Sequence, residues 1–151
     1  FNPFVSLAMF LRKKINGKLL IIYIPAQILG CLLGVMLANV FFEHDILELS
    51  TKNRDGFHIF LSEIIATFGL IFIIFATQKD GKITIAASVA TYIMAGYWFT
   101  SSTSFANPAV AIARTFTDSF TGINYLNTPT YILAEFLGAL IAVYFIKKLI
   151  K

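Results

Sequence analysis

The sequence predicts an all-α membrane protein built as an inverted repeat, with spanning helices and two re-entrant half-helices. Three observations predict it. First, 58% of the 151 residues are hydrophobic and 13% are charged, whereas about a quarter of a soluble domain is charged. Second, apolar runs of spanning length are bounded by lysines and arginines. Third, an Asn-Pro pair occurs twice, at Asn2-Pro3 and Asn107-Pro108, each time leading into a short, mostly apolar stretch.

The first observation sets the class. A net charge of +4 would suit nucleic acid if the cations formed a patch. They sit at the ends of apolar runs instead, which fits a lipid bilayer and no nucleic-acid partner. Cys31 is the single cysteine, so no internal disulfide forms, and it reads as a small buried hydrophobe. No cofactor is expected. The sequence starts at Phe1, already inside the first motif, so a preceding segment is expected.

The second observation sets the topology. Four runs have the length to cross: Leu19–Phe42, Ile59–Thr77, Ile83–Phe99 and Pro129–Ile146. A helix needs about 20 residues to cross roughly 30 Å of hydrocarbon. With four crossings, Arg12, Lys13, Lys14, Lys18, Lys79, Lys82, Lys147, Lys148 and Lys151 share one side. The positive-inside rule makes that side cytoplasmic, with the C-terminus on it and the loop 43–58 outside.

The third observation then has one consistent placement. A fifth full crossing through Asn107 would put the Lys-rich tail outside, against the rule. The stretch therefore enters from the outer side and turns back. From Asn107 to Asp118 is 11 steps, about 16 Å of helix. From Asn2 to Arg12 is 10 steps, about 15 Å. Both are roughly half the hydrocarbon thickness, so both Asn-Pro pairs lie near the midplane, reached from opposite sides.

Asn-Pro suits that place. A helix that starts inside lipid exposes N–H groups without intrahelical partners. Asparagine caps one of them through its side-chain oxygen. Proline at the first helical position lacks the N–H and has its φ preset. The asparagine NH₂ is left as a donor, and two positive dipole ends meet at one spot. Such a spot hydrogen-bonds a neutral solute and repels cations. The plain alternative is an interhelical turn in a surface loop, which two copies with matched flanks disfavour.

The repeat runs further. Asn2-Pro3-Phe4-Val5 matches Asn107-Pro108-Ala109-Val110, and AQILGCLLGV at 26–35 matches AEFLGALIAV at 134–143. One copy starts from the cytoplasm and the other from outside. An inverted repeat of this kind is common in transport proteins.

The stretches NPFVSLAMF, SEIIATFGLIF, SFANPAVAIARTFTDSFTGI and AEFLGALIAV together resemble the aquaporin / major intrinsic protein family over essentially the whole chain. The resemblance implies six spanning helices with two re-entrant half-helices, and a homotetramer with one pore per subunit. Residues 1–42 then supply the first half-helix and helix 3. Residues 59–151 supply the second repeat, with helices 4, 5 and 6 around the second half-helix. Helices 1 and 2 are outside the sequence, and without helix 2 this piece alone should not conduct. The paired family asparagines match Asn2 and Asn107, with Pro3, Phe4, Pro108 and Ala109 completing the midplane motifs. Phe4 replaces the usual alanine, and either narrows the path or packs behind it.

The family's second filter maps to Ser104, to Val110 where most members carry arginine, and to Ala95 or, with a one-residue gap, Gly96. Strict water channels carry histidine and arginine at the last two places. Small and apolar residues there imply a wider opening, passing water and small uncharged solutes of the glycerol, urea or undissociated arsenous acid type. SFANPAV looks similar to bacterial members linked with arsenite movement, which implies the inner (plasma) membrane of a bacterium.

Glu63 and Glu135 lie within spans, and Gln27 matches Glu135 in the repeat. A carboxylate in the bilayer is a functional candidate by default, as a proton relay. The alternative, which the resemblance favours, is a brace accepting N–H groups from the segments that lead into the half-helices. Gly30 and Gly34, like Gly138 and Ala142, have the small-xxx-small spacing of close helix packing. Arg114 and Asp118, four apart, form either an ion pair or a solvated rim. His44 and His58 have no ligand cluster around them, so no metal is expected. Trp98 with Tyr97 reads as an interfacial anchor.

A passive channel is the expectation. The alternative is an ion- or proton-coupled secondary transporter, which also uses inverted repeats and broken helices. That would need a charged chain along the path, and only the two carboxylates are available. An enzyme would need a nucleophile and base, and neither histidine lies in a span.

Overall fold

Asparagine side chains begin the first two helices of the structure, a computed structural model that describes residues 1–150. Asn2 caps α1 (Pro3–Leu11), and Asn16 caps α2 (Gly17–Phe41) by accepting the Leu19 N–H at 2.9 Å. Glycines start the next two. Gly56 at φ 109° precedes α3 (Phe57–Ala76), and Gly81 at φ 95° precedes α4 (Lys82–Phe99). These φ values favour glycine because it has no Cβ to clash. Asn107 caps α5 (Pro108–Ala113), which tightens into a 3₁₀ turn at Arg114–Phe116. The last helix, α6 (Thr128–Leu149), ends with Lys147 and Lys148 in its final turn, where cations suit the helix dipole.

The four predicted spans are α2, α3, α4 and α6. By length and composition α2, α3 and α6 qualify to cross a membrane. The shorter α4 has 18 residues, but serine, threonine, glycine, tyrosine and Lys82 dilute its apolar character.

Helices α3 and α6 form the most extensive contact. Gly138 makes it possible: a Cβ there would collide with the Ile64 carbonyl and reach Phe68 N and Thr67 Cβ at 3.1 Å. One end of α1 is wedged against this pair, so that Ala8 shares a core with Ile71, Phe75, Ala142 and Ile146. A second core, Phe105, Ala111, Ile123 and Tyr131, lies around α5. By contrast, α2 buries only Gln27 and Asn39. The expectation of close packing through Gly30 and Gly34 is not met in this chain, since a Cβ at either finds nothing within 4 Å.

The second half-helix is shorter than expected. It ends at Phe116 and the chain turns extended at Thr117, because the loop 43–56 and the end of α2 pair with this segment. Ser50 N donates to Thr115 O at 2.9 Å, and Asn39 Nδ2 donates to Phe116 O at 2.9 Å. Asp118 therefore leaves the helix and does not meet Arg114. It accepts from the Thr51 N–H at 2.9 Å and the Thr51 hydroxyl at 3.1 Å, and faces Lys52 Nζ at 4.0 Å. The Thr51 N–H above all, then its hydroxyl and Lys52, hold the Asp118 carboxyl below the usual carboxylate range.

Candidate functional site

The two Asn-Pro motifs meet. Asn2 Oδ1 accepts from Phe4 N at 2.9 Å and Val5 N at 3.4 Å. Asn107 Oδ1 accepts from Ala109 N at 3.1 Å. Each side chain thus satisfies donors of its own helix, with Pro3 and Pro108 at positions where no N–H is needed. Each also reaches across. Asn2 Nδ2 donates to Ala106 O at 2.6 Å, and Asn107 Nδ2 donates to Phe1 O at 3.0 Å. Each amide bonds the carbonyl just before the other asparagine. The sequence leaves both NH₂ groups free as donors, and in the structure they are only partly so. One hydrogen of each is used, and one remains.

The segment before Asn107 is strained. Thr103, Ser104 and Ala106 have φ of 65°, 51° and 48°, a left-handed region costly for residues with a Cβ. Two fully buried carboxylates hold it. Glu63 accepts from Phe105 N at 2.9 Å and Ala106 N at 2.7 Å, and Glu135 accepts from Asn107 N at 2.9 Å. Three successive N–H groups, turned away from any backbone ladder, find acceptors this way. Gln27 differs from the brace expected of it: its Nε2 donates to Ser6 Oγ of α1 at 2.9 Å.

Both asparagines line one cavity of about 1120 Å³ between α1, α2, α3, α4 and α5. Ser104 and Val110 line it too. Ala95 does not: it is exposed on the opposite side of α4. Gly96 is buried against Ser104, where a Cβ would lie 2.6 Å from Ser104 Oγ. Neither lines the cavity, and of the two alternatives only Gly96 packs against a residue that does, Ser104. Phe4 points away, packing on Phe136 with ring centroids 5.8 Å apart and lining a separate apolar groove. Cys31 is half-buried and faces the cavity, rather than sitting in the core.

Residues 1–102 match the family described as Major intrinsic protein. The chain belongs to the major intrinsic protein family. It is 43% identical over 142 residues to aquaglyceroporin AqpS of Rhizobium meliloti (strain 1021), covering 94% of this chain and 61% of that protein. It is 28% identical over 155 residues to the probable aquaporin TIP3-2 of Arabidopsis thaliana, covering 93% and 55%. Over 150 residues it is 29% identical to aquaporin-4 of Rattus norvegicus, covering 93% and 46%. The chain thus spans 46–61% of the length of these curated relatives.

In this major intrinsic protein the internal repeat extends into the cavity. Asn2, Val5 and Met9 line it on one side, and Asn107, Val110 and Arg114 on the other. Both triplets step by three and then four, the spacing of one helical face. Arg114 thus faces the cavity, neither paired with Asp118 nor on a solvated rim. The signal was present in the repeat, whose offset of 105 pairs Met9 with Arg114 as it pairs Asn2 with Asn107. Tyr97, expected to be an interfacial anchor, also lines the cavity. It stands one turn beyond Ile93, itself one turn beyond Val89, and all three face inward.

Proposed function

We propose that the full-length protein is a passive transmembrane channel for water and small uncharged solutes of the glycerol, urea or undissociated arsenous acid type. One observation carries this reading: Asn2 and Asn107 line one cavity, each with its carbonyl oxygen turned to its own helix and an amide hydrogen to spare. A fixed pair of neutral donors between mostly apolar walls replaces part of a solute's hydration, and the pair itself offers a cation no acceptor. The filter nearer α5 consists of Ser104, backed by Gly96, and Val110, none bulky or anionic. Glu63 and Glu135 brace the backbone rather than relay protons, since three of their oxygens are taken by N–H groups. The similarity to a protein named as an aquaglyceroporin supports the wider solute class.

The lysine distribution supports a cytoplasmic C-terminus. The bacterial source of AqpS supports a bacterial plasma membrane. A homotetramer, with the exposed face of α2 covered in the full-length protein, completes the reading.

Proteoliposomes carrying the full-length protein are expected to swell in an isotonic glycerol gradient at a rate linear in that gradient and insensitive to membrane potential. Water flux without glycerol flux would reject the wide filter, and saturable, potential-sensitive flux would replace the channel with a coupled carrier. Gly96→Val tests the filter. Its side chain meets Ser104 Oγ and Cβ, at 2.6 and 2.8 Å from the added Cβ, and drives Ser104 into the path. Glycerol flux is expected to fall about tenfold relative to water flux, measured by stopped-flow light scattering.

A further inference from the structure

We propose that Arg114 is a specificity-determining residue of this path: its guanidinium sets a fixed positive barrier against cations at one end of the cavity and offers N–H donors to uncharged, oxygen-bearing solutes. The inference rests on the channel reading and deepens it.

Position comes first. Arg114 lies on the inward stripe Asn107, Val110, Arg114, and lines the cavity beside Tyr97, Ser104 and Val110. It marks the end of the cavity remote from Met9, its repeat counterpart, so the two ends differ by a full charge.

Fixation comes next. The guanidinium lies over the Phe105 ring at 4.3 Å from the centroid, in cation–π range. That ring is itself held. Phe105 is buried, stacks obliquely on Tyr131 at 5.0 Å, and gives its N–H to Glu63. A long side chain is thus kept at one place instead of sweeping the opening.

The charge is also left unneutralised. Among the described residues no carboxylate lies within ion-pair distance of Arg114, and no hydrogen bond runs from its side chain to the protein. Both oxygens of Glu63 are committed to Phe105 and Ala106. Asp118, the acid nearest along the chain, is occupied by Thr51 and Lys52. A second guanidinium, Arg54, stands 6.0 Å from the same Phe105 ring and is tied to the carbonyls of Gly122 at 2.9 Å and Phe120 at 2.6 Å. It reinforces the positive sign. Arginine stays protonated at any working pH, so the barrier does not titrate. Its N–H groups, all donors, suit hydroxyl or carbonyl oxygen.

The test uses the full-length protein in proteoliposomes and reads monovalent-cation leak divided by glycerol flux. Arg114→Gln is expected to raise that ratio about tenfold or more, since it removes the charge and keeps a donor. Arg114→Lys keeps the charge and is expected to stay near the wild-type ratio. If R114Q does not fold, R114M, which copies the residue at the opposite end, gives the same reading. A neutral variant whose ratio matches wild type overturns the role of Arg114, as does a lysine variant that leaks like glutamine. Wild-type protein that passes no glycerol overturns the channel reading instead, so the two failures are separate.

Discussion

Glu63→Leu is expected to unfold the segment around Phe105 and Ala106. Both of their N–H groups lose their acceptor, in a place with no water to replace it. Each orphaned buried donor costs about 1–3 kcal/mol, so the pair costs about 2–6 kcal/mol. The loss is compounded by backbone strain. Ser104 and Ala106 hold left-handed φ only while something fixes them there, and Glu63 grips the chain at and beside those residues. Glu63→Gln keeps one acceptor and turns an NH₂ toward the other N–H, so roughly half the penalty is expected. Thermal unfolding in detergent, followed by fluorescence-detected size exclusion, ranks the three proteins. A Glu63→Gln protein of wild-type stability with altered solute preference would instead give the carboxylate a role in the path.

The second large effect is expected at Gly138. Its missing Cβ faces the Ile64 carbonyl on one side and the Phe68 backbone on another. Backbone cannot move aside as a side-chain tip can, so Gly138→Val must push α6 off α3. That contact anchors the core to which α1 adds Ala8. Overpacking costs typically about 1–3 kcal/mol, and here the upper end is expected because no rotamer relieves the clash. Folded yield after solubilisation and the unfolding midpoint measure it. The expected result is little or no monodisperse protein, and a midpoint within a degree or so of wild type would sink the argument.

The sequence made the helices legible because they depend on local pattern. The apolar runs Leu19–Phe42, Ile59–Thr77 and Ile83–Phe99 became α2, α3 and α4 with ends shifted by at most two residues, and Asn-Pro marked both half-helix starts. What it hid depended on contacts between distant segments. The loop 43–56 ends the second half-helix at Phe116 by offering it hydrogen bonds, and no local signal at Thr117 announces that. Nothing local therefore decides between an Arg114 ion pair and a solvated rim for Asp118, which Thr51, 67 residues earlier, holds. The choice between Ala95 and Gly96 turned on the rotation of α4 about its axis, which Ser104 fixes. The glycine pair at 30 and 34 has the packing spacing, but spacing alone does not supply a partner helix. Glu63 and Glu135 were conspicuous as charges in lipid, whereas the N–H groups they satisfy became visible only once the chain was folded.

The crossed amide bonds of Asn2 and Asn107 have a mechanical consequence. Each side chain ties itself to the residue just ahead of the other, so tilting either short helix stretches both ties together. The middle of the cavity therefore parts as a single joint or holds. Met9 and Tyr97, which line the same cavity, take no part in that knot.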